Sequence, residues 1–599
     1  MTQIFGDNIT FTVDLDRHDE FYEEMSELPA KSRNGGKVLV VNMYPLPMSE
    51  DMVTFFSGIK ELFPNIVRIM VELHGESIED DVDAATTRAA ARHRFYDLNG
   101  IAALLDLFRH QLTELRILIT GDVSSALIGK TSFVATLTEL STLLDFDFCG
   151  FNPSAALDPG LFHGIVQAIG SLKTLRKLHL QNIKVHPVAP ITSVDMESLK
   201  LPCCFATEDW LLYFLEHHRN LKELYVEFMT LSTGPFGSTR LANAVTNNRN
   251  LKVLMLEGAL WQQENPEHFH AFLDEFSRHV HDLVALQTIE IDFAPNTDEE
   301  TLMRLFRGLA SCASLSVVHF RDLATAATPS RELLYAYESL LAKKNIKEIR
   351  LGYYEGYTNF EFFNSIAIAV SSKESEAKQI YLEMVELNLD LFGAEVYACG
   401  AILRAALAKA TMESVTIVGV LSDYAASAAL VLGGLASTTT LQSLYVQNHC
   451  YEGSLVPLSE STEIVKTVQK NYSLKSVELC LEEEAAINCN IICSLNRAGR
   501  SYMLEDNSIE NGVAVLSKID QECRNIKSQE EKYGLLDAWM DSPSLDCYFI
   551  HLRENAGTFF PIERTVAGAL KRKKRGTAAT CATSKESPSP SPPLKKSQR

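Results

Sequence analysis

The chain has 599 residues, of which 46% are hydrophobic and 22% are charged. This composition supplies enough apolar side chains for a continuous core and excludes a chain that is disordered throughout. No stretch approaches the roughly 18 apolar residues that a membrane span needs, and residues 1–12 lack the basic start and apolar core of a signal peptide. We therefore expect an intracellular protein of the nucleus or cytoplasm without a membrane partner.

Charge is distributed unevenly along the chain. It has 55 Lys and Arg against 77 Asp and Glu, a net charge of -22. Residues 570–599 hold nine basic residues and one acidic residue, a net of +8, which leaves 46 basic and 76 acidic residues in residues 1–569, a net of -30. A body this negative repels phosphate backbones and favours basic partners, so nucleic acid is an expected ligand only weakly, through the tail.

The first 170 residues show strand and helix patterns at irregular spacing. Asn8–Asp14 alternates like a strand, and residues 1–36 are predicted to form an N-terminal cap. Residues 37–170 are predicted to form irregular N-terminal repeats. Their apolar strand patterns lie at 38–43, 66–71, 112–117 and 140–146, and the first three are separated by helices at 49–62 and 83–110.

The segment Ser124–Thr131 comes closest to a catalytic motif. A phosphate-binding loop needs Gly at both ends, then Lys and Thr for the phosphates and magnesium. Ser124 replaces the first Gly, so a turn at the start of a helix is favoured over a nucleotide-binding switch. No nucleophile elbow or dinucleotide fingerprint occurs either. The sequence therefore predicts no enzyme, no catalytic residues and no cofactor.

Metal ligands are not predicted from the cysteines or the histidines. The twelve cysteines lack the paired spacing of a zinc site and are expected to be reduced thiols packed as small hydrophobes. Histidines cluster at 217–218 and between 268 and 281. The pairs His268/His270 and His279/His281 are two residues apart, and such residues do not share a helix face.

From about residue 175 the pattern Leu-x-x-Leu-x-Leu, or an apolar variant of it, recurs roughly every 30 residues. Segments with helical spacing lie between the copies, and three of them begin at capping residues, Thr207, Thr297 and Ser330. A strand followed by a helix in every unit predicts a solenoid over residues 171–500. The eleven copies begin at Leu175, Met196, Leu221, Leu251, Leu286, Leu315, Ile346, Ala377, Met412, Leu441 and Leu474.

This pattern resembles the leucine-rich repeat superfamily, and its repeat length is most similar to the ribonuclease-inhibitor-like class. The resemblance implies an α/β horseshoe with parallel strands on the concave side, helices on the convex side and a helical C-terminal cap. Members usually carry Asn, Cys or Thr five residues after the second apolar position. Those ten positions hold other residues here, such as Ile183, Met229 and Leu323. We therefore expect an irregular array without this ladder.

The pattern stops after residue 479. A helix is predicted at 486–499, and helical segments near 508–526, 528–540 and 545–554 predict a helical C-terminal cap over residues 501–565. The segments Ile492–Arg500, Gly512–Leu516 and Tyr548–Asn555 resemble a block that closes leucine-rich-repeat-like proteins of diatoms. This second resemblance implies no function.

Residues 566–599 are basic and rich in Ser and Pro, which predicts a disordered tail. A run of five basic residues suits a nuclear-import signal, with a solubilising tail as the alternative. The run consists of Lys571, Arg572, Lys573, Lys574 and Arg575.

Side chains that flank the last two apolar positions of each copy must point to the concave face. Tyrosines next to charges are typical of protein-binding surfaces. The sequence therefore predicts a non-enzymatic scaffold that binds a basic protein partner there. An ordinary solvated sheet face remains open, as does a GTPase-activating or ubiquitin-ligase adaptor role. The candidate partner-binding residues are Glu223, Tyr225, Glu227, Glu257, Glu290, Asp292, Arg350, Tyr381 and Tyr445.

Overall fold

A computed structural model describes the chain in segments, most of which lie between residues 36 and 497. Apart from residue 514, the predicted helices at 508–526, 528–540 and 545–554 and the basic tail lie outside the described residues. The predicted domain boundaries stay predictions. The described residues are 2–5, 8–14, 36–43, 57–61, 64–74, 96–120, 127–150, 159–181, 191–193, 195–202, 208–227, 235–257, 266–293, 297–323, 325, 328–353, 360–384, 401–419, 434–435, 439–448, 458–479, 481, 483–497 and 514.

Within the described segments, seventeen strands form one sheet, in which each strand pairs with the next sheet strand along the chain. All pairs are parallel except β1 with β2. The strands are β1 (Thr2–Phe5), β2 (Asn8–Asp14), β3 (Gly36–Met43), β4 (Arg68–His74), β6 (Glu114–Thr120), β8 (Asp145–Gly150), β9 (Lys177–Gln181), β10 (Ser198–Leu201), β11 (Glu223–Glu227), β12 (Val253–Glu257), β13 (Thr288–Asp292), β14 (Val317–Arg321), β15 (Glu348–Tyr353), β16 (Gln379–Met384), β17 (Ser414–Gly419), β18 (Ser443–Asn448) and β19 (Ser476–Leu479). Two short strands, β5 (Tyr96–Asp97) and β7 (Leu127–Ile128), pair separately.

Helices alternate with these strands, as the repeat pattern predicts. They are α1 (Leu98–Phe108), α2 (Lys130–Thr138), α3 (Pro159–Gly170), α4 (Glu208–His217), α5 (Pro235–Thr246), α6 (Pro266–His279), α7 (Glu299–Ser311), α8 (Arg331–Leu341), α9 (Phe360–Ser371), α10 (Leu458–Lys470) and α11 (Glu483–Arg497). Residues 57–61 and 401–408 are also helical, and Val280–Asp282 form a 3-10 turn. The predicted fold class, an α/β leucine-rich-repeat-like solenoid, is confirmed by this alternation and by the parallel sheet.

Three predicted element boundaries are corrected. Helix α7 is capped by Asp298, not Thr297: the Asp298 carboxylate accepts a hydrogen bond from the Thr301 amide at 3.0 Å. In place of the helix predicted at 83–110, the described residues show β5 at 96–97 and a helix that begins at Leu98, while residues 83–95 lie outside the described part. The strand predicted at 140–146 begins only at 145, because the preceding leucines lie in the turn before it.

The register of the sheet aligns the same position of every repeat. Leu178, Leu199 and Leu224 are direct partners on adjacent strands, and the same alignment continues to Val477. All eleven residues at the first position of the pattern are fully buried. Burying a large apolar side chain contributes about 1.5–3 kcal/mol, so this column is a principal source of stability.

Helices cover the apolar face of the sheet. The ring of Phe320 on β14 lies 5.6 Å from Phe306 of α7 and 6.2 Å from Tyr337 of α8, measured between ring centroids. Side chains at the alternate strand positions therefore point away from the helices. We call this opposite side the polar face.

A ladder of side-chain hydrogen bonds joins consecutive repeats at a position that the family pattern does not use. At six described positions, the residue just before the first apolar position donates to the backbone carbonyl at that first position in the preceding repeat. Thr142 donates to Leu112 at 2.8 Å and Thr174 to Leu143 at 2.9 Å. Asn345, Thr411, Thr440 and Ser473 repeat the contact with Leu315, Ala377, Met412 and Leu441. Of the ten positions where the family ladder was sought, only Leu323 is described, and it is buried.

Replacing Thr174 with Val is expected to lower the free energy of unfolding by about 1–2 kcal/mol, because the Leu143 carbonyl loses its donor. Urea unfolding followed by circular dichroism measures the change. Thr136→Val is the matched control, since the Thr136 hydroxyl donates only to the Ser132 carbonyl of its own helix. Equal losses in the two variants would contradict a stabilising role of the ladder.

Candidate functional site: the polar face of the sheet

Burial alternates along β9 as the repeat pattern predicts, whereas four consecutive residues of β13 are buried. On β9, Leu178 and Leu180 are buried while Lys177 is exposed and His179 is half-buried. Because the buried residues contact the helix layer, the alternate residues form the polar face. The predicted partner-binding residues all occupy alternate positions, and the structure brings them together in two groups.

The acidic group lies on three neighbouring strands, β11, β12 and β13. The register places Glu227 opposite Glu257, and Tyr225 opposite Met255. On β13, Glu290 stands next to Met255 and Asp292 is opposite Arg321 of β14. Like charges in opposite positions of adjacent strands destabilise a sheet unless a cation compensates them. The members of the acidic group are Glu223, Tyr225, Glu227, Glu257, Glu290 and Asp292.

The aromatic group lies on β15–β18, beyond β14. Arg350 is opposite Tyr381, and Thr416 separates Tyr381 from Tyr445. The Tyr381 hydroxyl donates to the Glu383 carboxylate at 2.8 Å. Burial and this hydrogen bond raise the pKa of Tyr381 to about 12, so the phenol stays protonated and acts as a donor.

Two members of the acidic group are largely hidden from solvent. Glu290 is 6% exposed and Asp292 is 5% exposed. The Glu290 carboxylate contacts the Arg321 guanidinium at 2.7 Å and the His319 ring at 3.1 Å. The Arg321 guanidinium therefore balances the charge of Glu290, and little of that charge is available to a partner. Glu223 is more accessible, with 42% of its side chain exposed.

Opposite charges are paired across the strands that precede the acidic group. Ion pairs join Arg68 to Glu114 at 2.9 Å, Arg116 to Asp147 at 3.1 Å, Lys177 to Asp145 at 3.3 Å and Lys200 to Glu223 at 3.4 Å. These pairs leave no large excess of one sign on β4–β10. The change in charge pattern therefore begins at β11.

Sequence reasoning did not single out a third cluster on this face, formed by Asp147, Cys149 and His179. The Cys149 thiol donates to Asp147 Oδ1 at 2.9 Å, and His179 Nδ1 lies 3.0 Å from the same oxygen. Burial and the neighbouring carboxylate raise the pKa of Cys149 to about 12. Burial opposes ionisation of Asp147, but the hydrogen bonds from His179 and Cys149 outweigh it and lower the Asp147 pKa.

The sequence contains only a weak signal for this cluster. Asp147 and Cys149 are two residues apart on one strand and hence on one face, and His179 follows one repeat later. Cys149 has no second cysteine at the spacing of a zinc motif, so cysteine spacing alone gives no signal for this cluster. Among the described residues, these three are the group whose potential metal-ligand atoms all lie within 4.8 Å of one another.

The segment that resembles a phosphate loop ends at a helix start, as the favoured interpretation expects. Helix α2 begins at Lys130, and Gly129 is its N-terminal cap with a φ of 77°. A Cβ at Gly129 would lie 2.6 Å from Asn99, so both the backbone angle and the space require glycine. Residues 121–126 lie outside the described part of the chain.

No protein-family model matches the sequence, and no curated protein matches it. Among solved structures, the chain is similar to one in the crystal structure of the Rad7 and Elc1 complex in yeast, with a TM-score of 0.30 and 10% identity over 56% of this chain and 82% of that one. It is also similar to one in the crystal structure of the TLR13–ssRNA13 complex, with a TM-score of 0.28 and 12% identity over 76% of this chain and 55% of that one.

With TM-scores of 0.30 and 0.28, neither structure carries an argument about the fold or function of this chain. The assignment of the fold rests on the parallel sheet itself. Within the described part of the chain, no helix has the length and apolar character needed to cross a membrane. The nuclear-import candidates at 571–575 lie outside the described residues and stay a prediction.

Proposed function

We propose that the protein is a non-enzymatic interaction scaffold that binds a basic protein partner on the polar face. The acidic residues of β11 and β12, Glu223, Glu227 and Glu257, carry this proposal. Glu227 and Glu257 are direct partners in the parallel register, where like charges repel, and 42% of the Glu223 side chain is exposed. A basic side chain from a partner would relieve that repulsion, and the rigid sheet needs no reordering to receive it.

The aromatic group supplies a second contact region. Arg350 is exposed and lies opposite the half-buried Tyr381, and the half-buried Tyr445 lies two strands beyond Tyr381. Tyrosine and arginine are the residue types that most often dominate binding energy at protein interfaces. The net charge of -30 over residues 1–569 adds long-range attraction for a basic partner.

The finer assignments are part of the same proposal. A full helix after a strand, as in β14 followed by α8, supports the ribonuclease-inhibitor-like class. An intracellular location, in nucleus or cytoplasm, suits the reduced thiols of Cys149, Cys312 and Cys493. No described residue favours the GTPase-activating or ubiquitin-ligase adaptor alternative over a plain scaffold.

The double variant Glu223→Lys/Glu257→Lys is expected to reduce partner capture at least about tenfold, because it replaces attraction of basic side chains by repulsion. Immobilised protein is incubated with lysate of the source cells, and bound proteins are quantified by mass spectrometry. Basic proteins should be depleted selectively from the bound set.

The matched control is Glu332→Lys/Glu374→Lys, which makes the same change in net charge at exposed positions outside the sheet. It should capture the same proteins as wild type. Loss of the same proteins from both double variants would show that net charge, not the polar face, controls capture. Unchanged capture by the sheet variant would refute the proposed site.

A further inference from the structure

We propose that Asp147, Cys149 and His179 form a zinc site on the polar face, with a fourth coordination position open to solvent. The cluster combines a thiol, an imidazole and a carboxylate, which are the three ligand types that zinc takes from proteins. Three protein ligands and one open position is also the arrangement of zinc sites that bind water or another small ligand.

The backbone holds the ligands in place. Asp147 is opposite His179 in the parallel register of β8 and β9, and Cys149 is two residues further along β8 on the same face. Zinc–ligand distances of about 2.0–2.3 Å place tetrahedral ligand atoms about 3.5 Å apart. The ligand atoms now lie at 2.9 and 3.0 Å from Asp147 Oδ1, and all within 4.8 Å of one another. Small side-chain rotations are enough to admit the ion.

The surroundings suit a metal-bound state. Arg116 Nε lies 3.1 Å from the second oxygen of Asp147, so it orients the carboxylate and leaves Oδ1 directed at the cluster. A thiolate and a carboxylate together balance the two charges of zinc. Binding replaces the thiol proton of Cys149, which leaves to solvent, by a zinc–sulfur bond.

The choice of zinc follows from the ligand set. A thiolate is a poor ligand for magnesium or calcium, which prefer oxygen, whereas zinc accepts sulfur, nitrogen and oxygen ligands in one site. The open position lies on the side of His179, whose side chain is 28% exposed, because Cys149 is only 3% exposed.

Cobalt is the spectroscopic probe for this site. Untagged full-length protein, freed of metal with a chelator, is titrated with Co²⁺, and a thiolate-to-cobalt charge-transfer band is expected that Zn²⁺ abolishes. The band should be absent in Cys149→Ser and retained in Cys312→Ser, a buried cysteine away from the cluster. No band in wild type, or a band that persists in Cys149→Ser, would overturn the site.

A second pair of variants keeps the test decisive if Cys149→Ser fails to fold. His179→Gln is expected to lower the affinity for zinc at least about tenfold. Competition with a chromophoric chelator measures this affinity. Gln181→His adds a nitrogen ligand directly opposite Cys149 and is expected to tighten zinc binding. Unchanged zinc affinity in both variants would contradict coordination at this position.

Discussion

Replacement of Phe320 by Ala is expected to lower the free energy of unfolding by about 3–5 kcal/mol. Phe320 on β14 is fully buried, and its ring centroid lies 5.4 Å from that of Phe293 and 5.6 Å from that of Phe306. Tyr337 closes the cluster from the next helix at 6.2 Å. Removal of the ring leaves a cavity that strands and helices in register cannot collapse to fill.

Urea unfolding and hydrogen exchange measure this effect together. Because each repeat contacts mainly its neighbours, faster exchange should be concentrated in β13, β14 and β15. Ile368→Ala on α9 is the control, since Ile368 is 57% exposed and its loss creates no cavity. A loss of less than about 1 kcal/mol for Phe320→Ala would show that the cluster is not part of a packed core.

Charge reversal at Glu290 is expected to lower the free energy of unfolding by about 3–5 kcal/mol, the cost of breaking a buried ion pair. The Lys ammonium would stand beside Arg321 and His319, which now contact the Glu290 carboxylate at 2.7 and 3.1 Å. Only 6% of Glu290 is exposed, so water cannot screen the repulsion. Thermal and urea unfolding provide the measurement.

Glu223→Lys is the control for this prediction. Glu223 pairs with Lys200 at 3.4 Å, but about two fifths of both side chains are exposed, so reversal should cost less than about 1 kcal/mol. Glu290→Gln keeps an acceptor for Arg321, so its loss of unfolding free energy should lie between those of Glu290→Lys and Glu223→Lys. If reversal at Glu290 were as mild as at Glu223, the buried charge network would not contribute to stability. The contrast also explains why partner binding is tested at Glu223 and not at Glu290.

Much of the fold is predictable from the repeat pattern, because side chains alternate between the two faces of a strand and the apolar ones must face the core. Leu178 and its counterparts point into the core at every repeat, and any one-residue slip would expose the whole column. Side-chain hydrogen bonds between repeats cannot be predicted in this way, because the acceptor belongs to the neighbouring repeat. The sequence shows Thr174 only as a polar residue, and the structure shows that its hydroxyl donates to the Leu143 carbonyl at 2.9 Å.

The candidate site residues are likewise predictable only in part from the sequence. The alternation along a strand places Tyr381 and Tyr445 on the polar face, but only the register shows that Thr416 separates them. The sequence likewise shows a carboxylate at Glu290 and does not show that Arg321 and His319 enclose it. Ion pairing and burial depend on neighbours about 30 residues away along the chain, and spacing within one strand carries no information about them.

The repeated Leu-x-x-Leu-x-Leu pattern by itself determined the parallel solenoid and the composition of its polar face, because period-2 alternation assigns each strand residue to one side. Only the tertiary structure decided which of those residues stand together, which are hidden and that Asp147, Cys149 and His179 meet. Stacking brings side chains from different repeats within contact distance, and that register is a property of the assembled sheet rather than of any one repeat.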